Sequence, residues 1–188
     1  MKITLVTRDY PPKIGGVATY AYQVAKHLQD LGAEVRMVVR GGDIRTLWAA
    51  SREKPVGQEV LHVLSAPYGA FAQRDRLIVT VHEPVSDELT YYPFLRRIKG
   101  LMAVRLEKRA LRKARRVIAV SNCFARRLEE SEVDGSLIRV VSHAPDPRLL
   151  EGAVKPEGGK MKVLISARLE ARKNIPEAFK DVLLVVHN

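Results

Sequence analysis

The chain has 188 residues, 46% of them hydrophobic and 28% charged, a balance that excludes an intrinsically disordered chain and suits a soluble globular domain. Its net charge of +11 and single cysteine, Cys123, point to anionic partners and exclude a disulfide within the chain, so a reducing compartment is expected. No apolar run approaches the ~18 residues of a membrane span, and the segment between Lys2 and Arg8 is too short for a signal-peptide core, so a cytoplasmic protein is expected.

Ile3, Leu5 and Val6 predict a first strand, and Pro11-Pro12 then enforces a loop. After Gly15-Gly16, the apolar residues Val17, Ala21, Val24, Ala25, Leu28 and Leu31 recur at helical spacing, and Gly32 stands where a C′ glycine closes a helix. Strand, glycine loop and helix form the opening half of a βαβ unit, which places a ligand at the carboxyl end of the strand. Two uses of the glycine pair are open. It lets an anion such as phosphate reach the free amides of the helix start, or it is a tight turn that lets the helix pack on the sheet. The absence of G-x-G-x-x-G argues against a nicotinamide or flavin enzyme.

Further strands are predicted at Val35–Val39, Val60–Leu64 and Leu77–Val81. Asp43 is expected to N-cap a short helix through Ala50, and the link before Leu77 has room for two helical turns at most, Tyr68–Gln73. His82 and Glu83 follow the fourth strand, where side chains face the crevice of a parallel sheet and reach the space above Gly15-Gly16. A histidine there donates to a phosphate or sugar hydroxyl or takes part in proton transfer, unless its role is structural. His27, His62 and His187 read as surface or packing residues.

Between Pro93 and Arg116 the sequence carries ten Lys or Arg and one acid, Glu107. Leu95, Ile98, Met102, Leu106 and Ala110 predict an apolar stripe packed on the sheet, with Gly100 as a break between two helices. The basic flank, Arg96, Arg97, Lys99, Arg105, Lys108, Arg109, Arg112 and Lys113, then faces outward. Three meanings are open for it: a solvated face, attachment to an anionic lipid surface, or nucleic-acid binding. The last is disfavoured because no aromatics are interleaved for base stacking.

A fifth strand at Val117–Val120, a helix N-capped by Ser121 and running to about Glu130, and a sixth strand at Ile138–Val141 complete one α/β domain. Pro156, Gly158 and Gly159 mark a linker, which divides the chain into a domain over 1–153 and the start of another over 160–188. There, Met161–Ser166 restarts as a strand and a helix begins near Pro176.

In this order and spacing the motifs resemble glycosyltransferase family 4, with its two-domain GT-B architecture, over nearly all of the chain. Tyr10-Pro11-Pro12 with Gly15-Gly16-Val17 is similar to that family's opening Pro-Pro and Gly-Gly loop, and Val79-Thr80-Val81-His82-Glu83 to its strand ending in His-Asp. Val117-Ile118-Ala119-Val120-Ser121 resembles the strand and serine before the last helices of the first domain. Ser166-Ala167-Arg168-Leu169 with Arg172-Lys173-Asn174 resembles the donor-phosphate motif, and Asp146 fits the aspartate of a loop whose other residues differ here.

The resemblance implies a doubly wound, mostly parallel Rossmann-like α/β fold. It implies transfer of a sugar from a nucleotide diphosphate to a glycan, lipid or small-molecule acceptor, with retention of configuration and without protein-bound metal or cofactor. Arg168 and Lys173 match the phosphate-binding pair, Gly15 and Gly16 the loop facing the donor, and His82 the histidine near the donor sugar. Tyr10, Glu83 and Asp146 are acceptor-side candidates. The family's second domain extends well beyond Lys173, so a truncated chain lacking most of its donor site, and inactive alone, is expected. Contact with the inner face of an anionic membrane is expected through the basic flank; nucleic acid is not. The alternative is a non-catalytic α/β module attaching to anionic membrane or nucleic acid through residues 96–116.

Overall fold

The structure, a computed structural model, describes residues 1–73, 75–89 and 93–143. The chain divides into two compact units, Met1–His143 and Ala144–Asn188, and the second lies outside the described residues. The first unit is a six-stranded, all-parallel sheet of order β2-β1-β3-β4-β5-β6. Its strands are β1 (Lys2–Thr7), β2 (Glu34–Val39), β3 (Val60–Val63), β4 (Leu77–Val81), β5 (Arg116–Ala119) and β6 (Ile138–Val140). In β1 every residue after Lys2 is buried, as expected of a strand covered on both faces by crossover helices.

The connecting helices are α1 (Gly16–Asp30), α2 (Asp43–Arg52), the single turn α3 (Val85–Glu88), α4 (Phe94–Lys113) and α5 (Asn122–Glu130). On one face, α1 packs Tyr20, Ala21 and Ala25 against Ile3, Leu5 and Leu64. The larger core on the other face joins Val6, Leu61, Val79 and Val117 of the strands to Ala49, Ala110, Leu111 and Leu128 of α2, α4 and α5. The doubly wound reading therefore holds. Strand order reverses between β1 and β3, a switch point that opens a crevice at the carboxyl ends of those strands.

The ends of α1 and α5 follow from local chemistry. Gly32, at φ 79°, sends its amide to the Gln29 carbonyl while Ala33 bonds Leu28, the paired bonds of a Schellman close that only glycine enters without strain. Ser121 Oγ accepts the Phe124 amide at 3.2 Å and caps α5 as expected. Asp43 does not cap α2: Gly42 occupies that place. The Asp43 carboxylate instead accepts from Arg8 Nη1 at 2.9 Å and from the Tyr68 hydroxyl, charge-assisted bonds stronger than a cap exposed to water. The expected Tyr68–Gln73 helix is a single 3₁₀ turn, Ala66–Gly69.

The largest correction concerns α4, which runs unbroken through Gly100. Ile98 and Met102, assigned to the core, are 61% and 64% exposed. The buried face is instead Gly100, Glu107, Ala110, Leu111 and Ala114. Close approach explains the choice: a Cβ added to Gly69 would meet the Ala110 Cβ at 3.3 Å, so this contact takes small residues.

Length explains the exposed half. Twenty residues of helix span about 30 Å, whereas five residues of β4 span only about 17 Å. The Arg115 amide bonds the Leu77 carbonyl at the amino end of β4. Glu107 Oε2 accepts the Val85 amide at 3.0 Å just past its carboxyl end. The turns of α4 before Glu107 therefore extend beyond the carboxyl edge of the sheet.

Candidate functional site

Three features meet at the switch point. The first is the loop after β1, clamped by Asp9. Burial pushes its carboxyl up, but hydrogen bonds from Arg8 and Lys13 prevail and hold it below the usual carboxylate range. Pro11-Pro12 is cis, and the turn closes with the Lys13 amide on the Tyr10 carbonyl at 3.1 Å. Tyr10 packs on the α1 side of the sheet, its ring 6.3 Å from that of Tyr22.

The second feature is the start of α1. Its first internal bond runs from the Thr19 amide to the Gly15 carbonyl. No side chain caps the helix and no acid lies in its first turn, so the amides of Gly16, Val17 and Ala18 precede the ladder with their positive end uncompensated. A Cβ added to Gly15 or Gly16 would meet nothing within 4 Å. Gly15 is nevertheless at φ 158°, a backbone conformation that favours glycine, so the turn use holds at Gly15. At Gly16 no such constraint applies, and the approach to the helix start is unobstructed there.

His82 is the third. It leaves β4 but leans back over β3, with Nε2 3.0 Å from the Leu64 carbonyl. A carbonyl only accepts, so this bond keeps the proton on Nε2 and leaves a lone pair on Nδ1. Nδ1 faces His143 Nε2 at 3.4 Å. Burial, reinforced by the neighbouring His143 and opposed by the Leu64 bond, lowers the His82 pKa to about 4. His82 is therefore a neutral acceptor near pH 7, and its one ring proton is already committed; the expected donation to a phosphate is not available to it. Among the described residues no group of three or more His, Cys, Asp or Glu side chains is arranged to hold a metal ion.

Tyr20 ties these parts together. It lies one turn into α1, and its ring meets His82 edge-on at 4.8 Å and His143 at 4.6 Å. Beneath it, Thr80 hydrogen-bonds the Tyr20 phenol and lies 2.8 Å from His62 Nε2. His62 is buried and is a packing residue, as read from the sequence. The structure thus brings His82 against Tyr20, one turn into the helix that Gly15-Gly16 opens. Glu83 follows His82, half-buried. Tyr20 and His143 were not singled out in the sequence. The available signals were a tyrosine four residues after Gly16 and a second histidine three residues past a strand.

Asp146, Arg168, Lys173 and the side chain of Arg96 lie outside the described residues. Within the basic flank, Arg109 Nε donates to the Ala70 carbonyl and Lys113 Nζ to those of Ala70 and Ala72. Both cations thus tie α4 to the segment after the 3₁₀ turn, while Arg109 stays exposed and Lys113 is half-buried. A depression of about 260 Å³, lined by Pro55, Gly57, Gln73, Asp75 and Arg76, lies at the amino ends of β3 and β4, the opposite edge from the switch point.

The pattern of Glycosyltransferase Family 4 matches residues 44–149, more than half of the sequence. The chain belongs to glycosyltransferase family 4. The matched stretch includes His82, Glu83 and all of α4, whereas the Gly15-Gly16 loop and Arg168 and Lys173 lie outside it. No curated protein matches the chain.

Proposed function

We propose that the family 4 domain serves a retaining glycosyltransferase, which moves a sugar from a nucleotide diphosphate to an acceptor held mainly by the first unit. The observation that carries this reading is the meeting, through Tyr20, of an uncapped and unobstructed helix start with a neutral imidazole at the switch point. The α1 amides at Gly16 to Ala18 would offer partial positive charge to the donor. His82 Nδ1 would exchange its contact with His143 Nε2 for a sugar hydroxyl and orient it, a role suited to an imidazole that stays neutral. Tyr10 and Glu83, which follow β1 and β4, would face the acceptor; Asp146 is a further acceptor candidate by its motif alone.

Arg168 and Lys173 would bind the diphosphate, a bidentate fork and a compact ammonium that stabilise the leaving group most as its charge develops. Donor binding is the direct test, by calorimetry with a panel of uridine, guanosine and adenosine diphosphate sugars. The 188-residue chain and a version extended by a complete donor domain are compared. Binding to the extended version is expected, with Arg168→Ala and Lys173→Ala each costing ~1.5 to 3 kcal/mol. Unchanged binding and turnover in both variants would remove this pair from the mechanism, and silence of the extended protein toward every donor would overturn the reading.

A further inference from the structure

We propose that the projecting half of α4 docks on the surface of an anionic lipid bilayer. Ile98, Leu101 and Met102 are 61%, 51% and 64% exposed on two consecutive turns, and Arg105, Lys108 and Arg112 continue the same outward face toward the helix end, exposed as well. From Ile98 to Arg112 the face is about 21 Å long.

Three observations favour a lipid surface over a merely solvated helix. A solvated basic face usually carries acids four residues away to pair its cations. The single acid of α4, Glu107, is turned into the core at 5% exposure, so nothing on the helix neutralises its outer side. The hydrogen bonds and ion pairs of the described residues include none from Arg105, Lys108 or Arg112. Finally, the aliphatic side chains precede the basic ones, so the helix tip can enter the acyl boundary while the cations meet phosphates.

Charge decides between occupants. A second copy would bring the same cations against these, in a chain already at +11. A nucleic-acid backbone offers nothing to three aliphatic side chains. No helix among the described residues is long and apolar enough to cross a membrane, so the attachment is peripheral. It does not depend on the transferase reading, because its test needs no sugar nucleotide.

The test is sedimentation of the full 188-residue chain with vesicles of phosphatidylcholine alone and with about one-third phosphatidylglycerol, where each cation near the surface is expected to contribute about fivefold in affinity. Binding is expected only to the anionic vesicles and should weaken with salt. Arg105→Gln, Lys108→Gln and Arg112→Gln together should lower it about 100-fold. Ile98→Ser, Leu101→Ser and Met102→Ser together should abolish the part that survives high salt. A control removing Lys2, Lys26 and Arg126, equal in charge but elsewhere, should bind like the parent. Circular dichroism verifies that each variant is folded. Equal loss in the control, equal binding to neutral vesicles, or preference for a competing DNA duplex over the anionic vesicles would overturn the proposal.

Discussion

Acid should loosen the first unit through His62. Complete burial, with a smaller contribution from His82, lowers the His62 pKa from 6.5 to about 4. The unfolded chain therefore binds a proton near pH 6.5 that the folded chain refuses until near pH 4. The stability at stake is fully present above pH 6.5 and is lost as pH falls through that window, about 3 kcal/mol in all and about 2 kcal/mol by pH 5. Asp9 and Asp43, both held below the usual carboxylate range, titrate below this window. Trp48, the only tryptophan, sits in α2 and reports on this unit. Urea unfolding followed by its fluorescence at pH 7.5, 6 and 5, for the parent and for His62→Gln, measures the effect. The parent should lose about 2 kcal/mol more than the variant on going from pH 7.5 to 5. Equal losses in both proteins would refute a buried neutral imidazole at position 62.

Gly16→Ala places a methyl group in open space, so thermal stability should hold or rise by up to ~1 kcal/mol, while calorimetry on the donor-extended protein should show weaker sugar-nucleotide binding. Thr80→Val keeps the shape but leaves His62 Nε2 and the Tyr20 phenol without their shared partner, and urea titration should show a loss of ~1 to 3 kcal/mol. Glu107→Ala frees the Val85 amide, with a similar loss of ~1 to 3 kcal/mol and faster hydrogen exchange at that amide.

Strands were the most legible part of this chain, because buried parallel strands are short apolar runs such as Leu77–Val81, predicted with the ends the structure shows. Caps made of one residue and its own backbone, Gly32 and Ser121, were equally readable. The buried side of α4 was not. Of its buried residues only Ala110 lay on the predicted stripe; Gly100, Glu107, Leu111 and Ala114 did not, while Ile98 and Met102 mimic a core stripe. Nothing in the spacing tells how far a helix outruns its neighbouring strand. The site divides in the same way. His82 was legible as a residue just past a strand, but its proton is placed by the Leu64 carbonyl, and a backbone acceptor one strand away has no sequence signature.

Glu107 sits where α4 crosses the rim of the sheet and holds the amide of Val85, three residues beyond His82. That one carboxylate fastens the long helix to the segment behind the imidazole, so the outer surface of the domain and the mouth of the crevice share an anchor.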